Sequence, residues 1–129
     1  MANQNEDLVN NGYKLFSAGD MDGLKKLFTA DFVHHVPGKS QLAGDYDGPD
    51  AALGLYGKLF ELSGGTFKVD LKGMKSDGDK VVATHHATAE RDGQKLDQDQ
   101  VLDFTVKDGK LARIDEEPED QAAYDAFWG

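Results

Sequence analysis

The apolar residues of this chain change their spacing once, between Phe60 and Thr66, and that switch decides the fold class. Before it they recur at helical intervals, and after it they alternate as in strands. Leu8, Val9, Tyr13, Leu15 and Phe16 lie on one helical stripe that closes at Ala18-Gly19, predicting a helix over about residues 5–18. Asp20 stands as an N-cap ahead of Met21, Leu24, Leu27 and Phe28, so a second helix follows in a short-loop hairpin. Phe32–Val36 is β-prone and is stopped by Pro37-Gly38. After a polar loop through Tyr46-Asp47-Gly48, Pro49-Asp50 opens a third helix that ends near Ser63-Gly64-Gly65. Four strands are expected next, over about 66–75, 80–91, 95–106 and 110–117, with Asp-Gly pairs such as Asp92-Gly93 and Asp108-Gly109 in the turns. The tail, 119–128, reads as a short helix or an aromatic plug. Helices first and an antiparallel meander afterwards make the chain α+β. At 129 residues it is one domain, 1–129, with Phe16, Phe28, Leu53, Leu102 and Phe104 expected in the core.

Alternation within the strands says what faces inward. Leu96, Gln98, Gln100, Leu102, Phe104 and Val106 share one face, while Asp97, Asp99, Asp103 and Thr105 share the other. A buried amide without partners costs about 1–3 kcal/mol, so Gln98 and Gln100 demand partners, water or a ligand inside. The preceding strand turns Val81, Ala83, His85, Ala87 and Ala89 to the same interior, a run of small side chains that leaves volume for a cavity. On the last strand Ala112, Ile114 and Glu116 form one stripe, placing a carboxylate at its end with Arg113 facing out.

Charge and composition exclude several functions. Fourteen basic against 24 acidic residues give −10, which repels phosphate backbones and anionic membrane surfaces, so no nucleic-acid or membrane partner is expected. No 18-residue apolar run and no basic-then-apolar leader occurs, and with no cysteine the chain reads as cytoplasmic. Neither GxGxxG nor a Walker-type sequence is present, so no nucleotide cofactor is expected. No metal is expected either. His34 and His35, and likewise His85 and His86, are strand neighbours on opposite faces, and Asp97, Asp99 and Asp103 spread their carboxyls about 7 Å per step.

The phrases Ala-Gly-Asp-Met-Asp-Gly-Leu from Ala18, Leu-Phe-Thr-Ala-Asp-Phe from Leu27 and Lys-Asp-Gly-Lys-Leu from Lys107, in this order of elements, resemble the nuclear transport factor 2-like superfamily. The chain is most similar to its SnoaL-like polyketide cyclases and ketosteroid isomerase relatives, from Leu8 to about Glu117. The resemblance implies a curved antiparallel sheet wrapped as a cone around three N-terminal helices, with a small hydrophobic ligand in its mouth. It also implies dimers through the outer sheet face, where Val82, Thr84, His86 and Val101 would suit a homodimer contact. The isomerase triad is vacant, because Gly12, Val36 and Leu102 stand where its Tyr, Asp base and neutral Asp belong. Tyr56 falls where those isomerases place a pocket tyrosine, and Glu116 where relatives of the broader family carry an inward Asp.

The candidate catalytic residues are therefore Glu116 as proton shuttle with His34 and His85, both on inward faces. Tyr56, Gln98, Gln100, Leu102, Phe104, Tyr13 and Trp128 are the candidate ligand-binding residues. Three functions are open: cofactor-free acid/base chemistry of isomerase or cyclase type on a small hydrophobic carbonyl compound, binding of an apolar metabolite or a scaffold role without catalysis, and water addition to an epoxide. The last requires an inward Arg, a position Arg113 does not supply.

Overall fold

The computed structural model describes residues 4–129; Met1–Asn3, at the start of the segment read as lacking a leader, lie outside the described residues. Helix α1 (Gln4–Ala18) ends where Gly19 takes φ +74°, a left-handed stop that a side chain would strain. Asp20 then caps α2 (Met21–Lys25), its carboxylate accepting the Gly23 N–H at 2.9 Å. This helix is shorter than the spacing predicts. The Leu111 N–H donates to the Leu27 carbonyl at 2.7 Å, so the sheet captures the backbone there and Phe28 opens β1 (Phe28–Val36). Sheet pairing outweighs the local helical pattern.

A second difference follows. Gly44–Asp47, expected as polar loop, is β2, an edge strand paired antiparallel to β1 from Val33↔Asp47 to Val36↔Gly44. Helix α3 (Pro49–Leu62) begins at the proline as predicted, and β3 (Lys68–Asp77), β4 (Lys80–Arg91), β5 (Gln94–Lys107) and β6 (Lys110–Pro118) form the meander. At Asp92-Gly93 and Asp108-Gly109 both turn residues have positive φ, the geometry whose twist matches paired strands. The tail is helical, α4 (Gln121–Trp128), capped by the Asp120 side chain.

The six strands lie in the order β2-β1-β6-β5-β4-β3. Every pair is antiparallel except β1 with β6, which runs parallel through Val33↔Arg113, His34↔Ile114 and His35↔Asp115. This corrects the expectation of a wholly antiparallel sheet. Parallel neighbours need a long crossover, and here α3 and the rest of the meander supply it. The ladder slips between Phe28 and Val33, and within that irregular stretch Phe28 and Phe32 stack with ring centroids 3.9 Å apart.

Phe28, Leu102 and Phe104 are buried as expected, whereas Phe16 and Leu53 are only partly so and pack at the margin of the core. On the outer face His86 sits between two carboxylates, its Nδ1 2.8 Å from Asp99 and its Nε2 2.5 Å from Asp97. The hydrogen bonds to Asp99 and Asp97 raise the His86 pKa above its ordinary value, and Lys72 donates to the far oxygen of Asp99 at 2.7 Å. The acidic stripe is thereby engaged by side chains of its own sheet. Among the described residues no helix is long and apolar enough to cross a membrane.

Candidate functional site

Between the helices and the concave side of the sheet lies a cavity of about 80 Å³. Its walls are mostly apolar, with Phe28, Leu59, Phe67, Leu102, Phe104 and Ile114 among them. Seven elements, all but α2 and the edge strands β2 and β3, place polar groups on this surface. Strand alternation, with β1 and β6 in register at His34↔Ile114, brings the side chain two residues further along β6, Glu116, beside His34. His34 Nε2 and Glu116 Oε1 are 2.6 Å apart, and His34 Nδ1 is 2.7 Å from the Tyr56 hydroxyl on α3. From α4 the Tyr124 hydroxyl donates to Glu116 Oε2 at 3.2 Å. His34 is 3% exposed, so this chain of groups is shielded from bulk water.

A second chain runs beside the first. His85 and Gln100 are direct cross-strand partners on β4 and β5, and His85 Nε2 meets Gln100 Oε1 at 2.8 Å. Its Nδ1 lies 2.7 Å from the Tyr13 hydroxyl on α1. Burial lowers the His85 pKa, an effect that the Gln100 hydrogen bond and the Glu116 charge only partly offset, so this imidazole is neutral at physiological pH. Burial and then the Glu116 charge push Tyr13, Tyr56 and Tyr124 above the ordinary phenol range, and all three stay protonated. The Gln100 amide bears on the Tyr124 hydroxyl and offsets part of that push, yet its Nε2 is buried with no hydrogen-bond partner.

Of the residues singled out from the sequence, Glu116, His34, His85, Tyr56, Tyr13, Gln100, Leu102 and Phe104 meet on this one surface. Gln98 and Trp128 do not. The Gln98 side chain instead clamps the start of α4, accepting the Asp120 N–H at 2.9 Å and donating to the Asp120 carbonyl at 3.2 Å. That pairing satisfies the buried amide, for which alternation alone leaves partners, water or a ligand open. Trp128 is fully buried against Phe67, Tyr124 and Phe127. The alanine face also differs from expectation: Ala83 and Ala87 are fully buried and neither borders the cavity. Arg113 stays outside, paired with Asp115 at 2.9 Å, and His35 meets Asp45 at 2.5 Å on the side away from His34. Tyr124 is the contributor that the sequence reading missed. The helical spacing of Tyr124 and Trp128 was its one signal, because nothing local says that the tail folds back onto Glu116.

A curved open sheet of six strands packed against helices is the nuclear transport factor 2-like architecture, shared with an NTF2-like protein of Burkholderia xenovorans (TM-score 0.84, 23% identity, 98% of this chain and 96% of that one covered). Within that class the chain belongs to the SnoaL-like domain family, whose pattern matches residues 9–114. An uncharacterised protein of Mycobacterium tuberculosis is 35% identical over 123 residues, 95% of this chain and 94% of its own. The solved structure of Bal32a, from a soil-derived mobile gene cassette, superposes with a TM-score of 0.95 at 37% identity, covering 98% of this chain and 97% of that one.

Proposed function

We propose that the protein is an acid/base enzyme of isomerase or cyclase type that moves a proton on a small, largely apolar carbonyl compound. One observation carries this reading: Tyr56, His34 and Glu116 form a hydroxyl–imidazole–carboxylate line on the wall of an apolar cavity. A proton leaving the substrate passes to the Tyr56 oxygen as Tyr56 gives its own to His34 Nδ1, and the Glu116 carboxylate holds the imidazolium so formed. Returning the proton to a different substrate atom completes an isomerisation or a ring closure. His85, neutral and fixed by Gln100, orients the Tyr13 hydroxyl toward the same space. The fold is shared with proteins bearing the name polyketide cyclase, a likeness of architecture that is compatible with this chemistry.

Hydrogen exchange α to the carbonyl of cyclopentanone in heavy water, followed by proton NMR, tests the reading without knowledge of the natural substrate. The wild-type protein should accelerate exchange, and Glu116→Gln should reduce that acceleration by about 10²-fold or more. Folding should be nearly unchanged, since an amide of the same shape still accepts one hydrogen bond. A wild-type protein that binds the ketone and leaves its exchange rate untouched favours the second reading, a non-catalytic binder of an apolar metabolite. The size and apolarity of the cavity support that alternative by themselves. Water addition to an epoxide has less support, because Arg113 points away from the cavity toward Asp115.

We further read the protein as a cytoplasmic homodimer that meets through the outer sheet face. Val82, 41% exposed, stands among charged residues there. Light scattering should give twice the chain mass, and a particle of 14.1 kDa at micromolar concentration would refute the dimer.

A further inference from the structure

We infer that the cavity selects uncharged ligands that donate a hydrogen bond, taking an alcohol over the ketone of the same size and rejecting the carboxylate, because its tyrosines face the ligand only as acceptors. This rests on the cavity being a small-ligand site, as proposed above, and adds that its carbonyl substrate carries a hydroxyl group as well.

The argument is an inventory of protons. Gln100 Oε1 can only accept, so the His85 nitrogen 2.8 Å away must donate. In a neutral imidazole the other nitrogen then accepts, and the hydroxyl 2.7 Å from it, that of Tyr13, gives its proton there. The same logic runs through the other chain. The Glu116 carboxylate accepts from His34 Nε2, which leaves Nδ1 of the imidazole to accept the Tyr56 proton. The Tyr124 proton goes to the second oxygen of Glu116. All three phenols that line the cavity have thus committed their protons to the protein, and what they offer a ligand is lone pairs. Among the described residues that line the cavity, the donor left without a hydrogen bond of good geometry is Gln100 Nε2, on a side chain 3% exposed, which only approaches the Tyr124 hydroxyl.

A ligand hydroxyl fits this inventory at both ends, donating to a phenol oxygen while accepting from Gln100 Nε2. A ketone oxygen can use only Gln100 and leaves the phenol oxygen dry, which forfeits a hydrogen bond. A carboxylate meets a further obstacle, since among the described residues neither Lys nor Arg lines the cavity and Glu116 does. Its charge would be buried beside a like charge without a cation to offset it.

Cyclopentanol, cyclopentanone, cyclopentane and cyclopentanecarboxylate form a series of matched ring size, titrated into the protein and followed by amide NMR shifts. The alcohol should bind at least about fivefold more tightly than the ketone, the equivalent of one added hydrogen bond. The ketone should bind about as tightly as the hydrocarbon or more so, and the carboxylate should not saturate. In Tyr56→Phe, which removes one of the three phenol acceptors, the alcohol preference should fall, and Tyr13→Phe provides the same readout if that variant does not fold. A ketone that binds as tightly as the alcohol, or a saturating carboxylate, overturns the inference and leaves the ligand site standing. If none of the four probes shifts any cavity residue, the ligand-site reading itself fails and the inference goes with it.

Discussion

Replacing His34 by Ala should destabilise the protein by about 3–5 kcal/mol, the range seen when a buried charge is left without its partner. The imidazole is 3% exposed and bonded on both sides, so its loss strands two groups at once. The Tyr56 hydroxyl loses its acceptor, and Glu116 keeps only the longer contact from Tyr124. Two mechanisms could produce the same loss, an empty space or a stranded charge, and a second substitution separates them. His34→Ala combined with Glu116→Gln removes the charge and leaves the empty space, and it should recover a large part of the lost stability if the stranded charge is the cause. Urea unfolding of the wild type, the single variant and the pair is the measurement. A double variant no more stable than His34→Ala would show that Glu116 is not held in place by the imidazole.

At Trp128 the expected effect is equally large and has a different origin. Its side chain is fully buried, in contact with the rings of Phe67, Tyr124 and Phe127, so Trp128→Ala should cost about 3–5 kcal/mol through the cavity left behind. Trp128→Phe should behave otherwise. The indole Nε1 is buried without a hydrogen-bond partner, and phenylalanine removes that orphan donor while retaining most of the aromatic contact. Its cost should be under about 1.5 kcal/mol, as for volume-similar apolar replacements. Thermal melts of both variants check this. If Trp128→Phe proved as damaging as Trp128→Ala, the indole nitrogen would have to hold a partner.

These two residues also mark how far local pattern carries. Period and turn chemistry are local properties, and they gave the helices, the hairpins at Asp92-Gly93 and Asp108-Gly109, and the faces of His34, His85, Gln100 and Glu116. What they could not give is partnership across the chain. Gly44–Asp47 has no alternation of its own and is a strand because β1 offers an edge beside it. Phe28 fits a helical stripe, yet Leu111 claims the backbone before it. Gln98 and Gln100 are indistinguishable by alternation, both inward and both polar. Only the return of α4 separates them, since Asp120 takes the first and leaves the second facing the cavity. Tyr124 was hidden for the same reason.

The parallel seam between β1 and β6 decides when the polar groups of the cavity can come together. The meander from β3 to β6 joins neighbours in sequence through tight turns, contacts that little chain entropy opposes. His34 and Glu116, by contrast, are 82 positions apart, and they meet only when the seam closes. The pair is therefore assembled by the most entropically demanding contact in the sheet. A chain caught with its hairpins formed and its seam open would have much of its secondary structure and no His34–Glu116 pair, so that pairing reports on completed folding more stringently than strand content does.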